Sequence, residues 1–142
     1  MSRHGYIDDD WDDSPEAILA SGRWVACVKS AMRGKRGQAF LRELAAAMDA
    51  MPVKALIAHE LINERGECCT IGVVCKARGI DVSKVDYECP EQVGAAVGIA
   101  RQMAAEIEYE NDDGFWDRDI KSESPEARWQ RMRKWVESKL TK

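Results

Sequence analysis

At 142 residues and 16.0 kDa, with 45% apolar and 32% charged residues, the chain is long enough to bury a core without disulfides or metal, and too apolar and periodic for wholesale disorder. A net charge of −4 argues against broad, non-specific attraction to nucleic acid. No run approaches the roughly 18 apolar residues of a membrane span, and the acidic N-terminus lacks the apolar stretch of a secretory signal. The five cysteines are odd in number and read as reduced, mostly buried thiols of a cytoplasmic protein.

In chain order, residues 1–13 carry Asp8, Asp9, Asp10, Trp11, Asp12 and Asp13 without periodicity and read as an acidic, flexible arm, leaving 14–142 as one helical domain. Ser14-Pro15-Glu16 is a helix start: the hydroxyl caps orphan N–H groups, proline suits the first helical position, and glutamate meets the positive dipole end. Ile18, Val25, Val28 and Met32 fall near one face of that segment, with Gly22 a point where it could split in two. Arg33-Gly34-Lys35-Arg36-Gly37 reads as a basic turn, its two glycines breaking any helix. From Gln38 to Met51 the stripe Phe40, Leu41, Leu44, Met48 and Met51 predicts the strongest helix, stopped by Pro52.

Residues 56–70 admit two readings, a small hairpin turning at Asn63–Glu67 or a helix broken at Gly66. Thr70 to Arg78 is helical with Gly79 as its cap, Asp81-Val82-Ser83 begins a short element, and Pro90–Val97 is the next helix. Gly98 separates it from a helix over Ile99–Asn111, and the stretch from Asn111 to Glu123, with Phe115 and Trp116, reads as a polar loop. Ser124-Pro125-Glu126 repeats the first helix start and opens a last helix with Trp129, Met132, Val136 and Leu140 on one face. The fold expected is a mainly α domain of five to seven short helices, with the hairpin near 56–70 as its one candidate β feature. Its expected core is Ile18, Val25, Val28, Phe40, Leu41, Leu44, Met48, Leu56, Val74, Val93, Ile107, Trp129 and Val136.

Gly94, Gly98, Ile99, Ala104 and Ile107 occupy the small, turn and apolar places of a helix-turn-helix. The second helix is wrong for DNA, however: after Arg101 and Gln102 it offers Glu106, Glu108 and Glu110, which phosphates repel. A packing hairpin is the preferred reading. Arg128, Arg131, Arg133 and Lys134, interleaved with Trp129 and Trp135, suit an anionic partner better, yet nearby acidic residues favour internal pairing.

Catalytic and metal chemistry is poorly represented. Cys68, Cys69, Cys75 and Cys89 lack paired zinc spacing, the two histidines stand apart, and Tyr109 and Ile120 sit where a calcium loop at 111–114 needs its first and last ligands. No nucleophile elbow, phosphate loop or metalloprotease motif occurs; a Cys68 or Cys69 pairing with His59 is the remaining enzymatic option. No cofactor or metal is therefore expected.

Several stretches carry a resemblance: Met1–Tyr6 with its Asp run, Arg33–Leu41, Ala50-Met51-Pro52, Ala77–Asp81, Glu110-Asn111-Asp112, Pro125–Trp129 and Arg131–Val136. Together the chain resembles a family of small uncharacterised proteins encoded by tailed phages and prophages of proteobacteria. The resemblance implies a bacterial cytoplasm and an accessory role, and it brings no catalytic residue. The expected function is thus a non-enzymatic module that binds a host or phage protein through Asp8–Asp13, Trp11, Arg33, Lys35, Arg36 and Trp116. The alternative is a nucleic-acid binder using Arg101, Gln102, Arg128, Arg131, Arg133 and Lys134, with the Arg33–Gly37 turn.

Overall fold

The computed structural model describes residues 14–113 and 123–141. These contain six helices and no strand: α1 Pro15–Arg33, α2 Lys35–Asp49, α3 Thr70–Arg78, α4 Pro90–Val97, α5 Arg101–Asp113 and α6 Pro125–Lys139. The fold is mainly helical, as its periodicity predicts. No helix among the described residues is long and apolar enough to cross a membrane.

The helix starts arise from local chemistry. Ser14 Oγ accepts from Ala17 N–H at 3.2 Å and Ser124 Oγ from Ala127 N–H at 3.1 Å, each just before a proline at the first helical position. At the other ends of α3 and α4, Gly79 and Gly98 take φ of 71° and 80°, a left-handed conformation that costs glycine nothing.

α5 lies at the centre, packed against α1, α3, α4 and α6, while α2 packs on α1, α3 and α6. One core cluster joins them, with Leu41, Leu44, Met48, Leu56, Val74, Val93, Met103, Ile107, Met132 and Val136 fully buried. Of the expected core, Val28 and Phe40 are buried too, and Trp129 packs half-buried at its edge.

Several expectations are corrected. Gly22 does not divide α1, because it points into open space and the helix runs straight through it. Only Gly34 interrupts the chain at the basic segment; Gly37 sits inside the first turn of α2 and is buried. A Cβ at Gly37 would overlap the carbonyl of Ala31, so this glycine lets α1 and α2 approach backbone to backbone. The hairpin reading of 56–70 reduces to a single antiparallel bridge, Ile62 with Cys68, closed by a turn in which Asn63 Oδ1 accepts from the Arg65 and Glu67 N–H groups. Asp81–Ser83 forms no helix: Ser83 N–H donates to Asp81 Oδ1, a local turn that competes with helix formation.

Two further corrections bear on function. Asn111 is not the start of a loop; α5 continues to Asp113, and Asn111 and Asp112 are buried. Ile18 and Val25 are not core residues. The buried side of α1 follows Ala17, Ser21, Trp24, Val28 and Met32, spaced by three and four, which turns Ile18 toward solvent and leaves Val25 on the flank.

Candidate functional site

Apolar side chains left on the outside of α1 define the candidate site. Ile18 is 56% exposed, Leu19 63% and Val25 36%. Ile18, Gly22, Val25, Lys29 and Arg33 recur at helical spacing along one face of α1, with Leu19 and Ala26 beside them. The second half of the helix is anchored by the buried Val28 and Met32, so this face is held on a fixed support.

The charge around it is positive. Arg23, Lys29, Arg33, Lys35 and Arg36 are all exposed, and among the described residues none has a hydrogen-bond or ion-pair partner. Arg33 closes α1 and Lys35 and Arg36 open α2, on either side of Gly34, so the three are brought together at one corner. The tight crossing at Gly37 fixes that corner, and Gln38 secures it. Its buried amide donates to Met32 O at 2.6 Å and to Lys139 O at 3.0 Å, and its Oε1 accepts from Thr141.

The cations of the C-terminal helix are used differently. Arg128 donates to the carbonyls of Asn111 (3.1 Å) and Leu56 (3.1 Å), and Arg131 to those of Glu110 (2.6 Å) and Asn111 (3.1 Å). Both guanidiniums thereby satisfy carbonyls near the C-terminal end of α5 or the adjoining segment. Glu123 lies between them, 2.7 Å from Arg131 and 3.4 Å from Arg128. Arg133 pairs with Asp49 at 2.9 Å and Glu137 at 3.1 Å, and the Arg133 hydrogen bond holds the Asp49 carboxyl below its usual range. Lys134 is exposed, Arg101 is exposed at the start of α5, and Gln102 is half-buried beside it. These six residues are therefore not brought together as one basic surface.

The helix pair at 90–113 has the turn expected of it: Ile99 is buried, and a Cβ at Gly94 would stand 2.7 Å from Ile99 O. Yet α5 spends its surface on four neighbouring helices, so little of it is left to lie in a groove of DNA. Asp8–Asp13, Trp11 and Trp116 fall outside the described residues.

Compared with protein-family models, with curated proteins and with solved structures, the chain matches none.

Cys68, Cys69 and Cys75 are packing residues, whereas the His59 side chain is mostly exposed. Cys69 Sγ accepts from Gly72 N–H at 3.4 Å and acts as the cap of α3. Burial pushes the Cys68 and Cys69 thiols up, and Cys75 up to about 11, away from the thiolate a nucleophile requires. His59 is engaged by Asp112 instead: its N–H donates to Asp112 Oδ1 at 3.1 Å and its Nδ1 lies 3.5 Å from Oδ2. That hydrogen bond helps hold His59 at φ 69°, an uncommon conformation for a residue with a side chain. Tyr87 donates to the same Oδ2 at 2.6 Å, and burial pushes its hydroxyl well above the usual phenol range. Among the described residues no three His, Cys, Asp or Glu side chains form a group that could hold a metal ion.

Sequence reasoning missed Ile18, Leu19 and Val25 as surface residues. The signal was present: Ala17, Ser21, Trp24 and Val28 form a second, better-spaced inward face, which Ile18 and Val25 obscure because they are more hydrophobic.

Proposed function

We propose that the chain is a non-enzymatic binding protein that docks another protein through the outer face of α1 and the corner it makes with α2. The exposed strip of Ile18, Leu19 and Val25 carries this reading. Large apolar side chains repeated along one helix face gain little in water and gain free energy once a partner covers them. Lys29, Arg33, Lys35 and Arg36 beside the strip favour a partner with an acidic rim around an apolar centre, since complementary charge sets orientation and speeds encounter. The buried, protonated thiols support a binding role over cysteine-dependent catalysis. On the resemblance to small phage and prophage proteins, the partner is a host or phage factor in a bacterial cytoplasm.

The test is an affinity pull-down from nuclease-treated bacterial lysate with the full chain and with an Ile18→Ser/Leu19→Ser/Val25→Ser variant. A stoichiometric protein retained by the first and lost by the second is the expected result. Equal retention by both would contradict the assignment.

One observation favours a second reading. Arg33, Lys35 and Arg36 stand together without partners among the described residues, whereas Arg128, Arg131 and Arg133 of α6 are engaged, so on this reading nucleic acid binds at the α1–α2 corner. That reading requires affinity falling steeply with salt and lost when Arg33, Lys35 and Arg36 become Glu; a flat salt response removes it.

A further inference from the structure

A cavity of 460 Å³ opens between the end of α2, the segment that follows it, and α3. Its walls are apolar and small: Ala47, Met51, Leu56, Ile57, Val73 and Ala77 line it, and the alanines on the two helices leave the room. That size and lining match sites for small organic ligands. The polar part of the lining is confined to the turn at 63–67 and its neighbour Lys76.

The turn is held in one shape. Asn63 Oδ1 accepts from the N–H groups of Arg65 and Glu67, each at 2.9 Å, and Asn63 N–H donates to Glu67 O. The one acid there, Glu67, has its Oε1 held by Asn63 Nδ2 at 2.9 Å, and its charge against those of Arg65 and Lys76 leaves a net positive charge on the polar lining. Lys76 Nζ donates to Gly66 O at 2.8 Å, which steadies the ammonium while leaving further N–H groups to donate. The Arg65 guanidinium has no partner among the described residues. An apolar cavity thus ends beside two cations, Arg65 with no partner among the described residues and Lys76 held by Gly66 O with donors to spare.

We propose that this cavity binds a free medium-chain aliphatic carboxylate, its chain along the alanine-lined walls and its carboxylate between Arg65 and Lys76. A cationic or neutral chain of equal length gains the same apolar contacts without the charge pairing, so the site selects for the acid. This proposal is independent of α1 and does not rest on the docking reading.

Isothermal titration of the full chain with decanoate, and with decyltrimethylammonium as the cationic match, tests it. Decanoate is expected to saturate a single site and to bind about tenfold or more tighter than the ammonium. Arg65→Glu/Lys76→Glu should erase that preference, and Ala77→Phe should abolish binding by filling the cavity. Because Ala77→Phe can disturb α3, Val53→Asp, on an exposed part of the wall, gives an independent variant that should also lose decanoate. No saturable binding of decanoate, equal affinity for the two amphiphiles, or binding untouched by the cavity variants would overturn the proposal. So would capture on phosphatidylglycerol vesicles without binding of free decanoate.

Discussion

Asn111 makes four hydrogen bonds from one buried side chain. Its Oδ1 accepts from the N–H and hydroxyl of Thr70 (3.1 and 2.7 Å), and its Nδ2 donates to Ile57 O (3.0 Å) and to Asp112 Oδ1 (2.8 Å). It thereby joins α5 to the start of α3 and to the segment before the 63–67 turn. Asn111→Ala would strand the buried Thr70 N–H and hydroxyl and unpair the part-buried Ile57 carbonyl, at a cost of about 3 kcal/mol. Urea unfolding should show a lower midpoint at unchanged slope; a loss below about 1 kcal/mol would contradict the role. The cysteines give a second prediction at this scale. Iodoacetamide at mildly alkaline pH should modify the exposed Cys27 and leave Cys68, Cys69 and Cys75 untouched until urea is added, as read by mass spectrometry. The sign of the pH effect follows from the upward shifts. The folded state holds these protons more tightly, so their contribution is complete below the ordinary thiol range and is lost as pH rises through that range toward the about 11 of Cys75. Stability measured in urea should decline over that window, and a rise there would contradict the burial of these thiols.

Helices α1 and α2 show how the same residue type serves opposite ends. Gly37→Ala places a methyl on the Ala31 carbonyl, forcing the two backbones apart, and should cost about 2 kcal/mol or more. Gly22→Ala adds a methyl in open space on a helix and should stabilise by about 0.5–1 kcal/mol. Thermal melts of the two variants should therefore move in opposite directions, and a shared direction would contradict the packing described. The contrast also marks what the sequence can disclose. Helix starts at Ser14 and Ser124 and stops at Gly79 and Gly98 were legible because each is set by chemistry within a few residues. Gly37 reads as a breaker because a glycine demanded by close approach differs from one demanded by a turn only in what lies across from it. Asn111-Asp112 reads as a loop because polar residues usually end a helix; the partners that bury them, Thr70 and Tyr87, are distant in the chain.

Charge, taken over the whole molecule, is sorted by use. The arginines of α6 neutralise carbonyls and carboxylates within the fold, Arg78 pairs with Glu43, and the cations of α1 and the α1–α2 corner stay free among the described residues. The sequence disclosed the corner, since Arg33, Lys35 and Arg36 are adjacent to a glycine, but not the apolar strip beside it. Exposure of Ile18, Leu19 and Val25 depends on which other face of α1 finds neighbours, and only tertiary packing decides that. Because Ile18 and Leu19 are mostly exposed and Val25 is partly covered, serine at all three should cost about 2 kcal/mol of stability or less while weakening partner binding by about a hundredfold, as lost apolar burial on docking implies. The most direct measurement places a photoactivatable benzophenone at position 19, and at Glu91 on the exposed side of α4 as reference, in nuclease-treated lysate. A discrete covalent protein adduct from position 19 alone, lost when Arg33, Lys35 and Arg36 are reversed to Glu, is the predicted result. No adduct from position 19, or the same adduct from position 91, would contradict docking through α1.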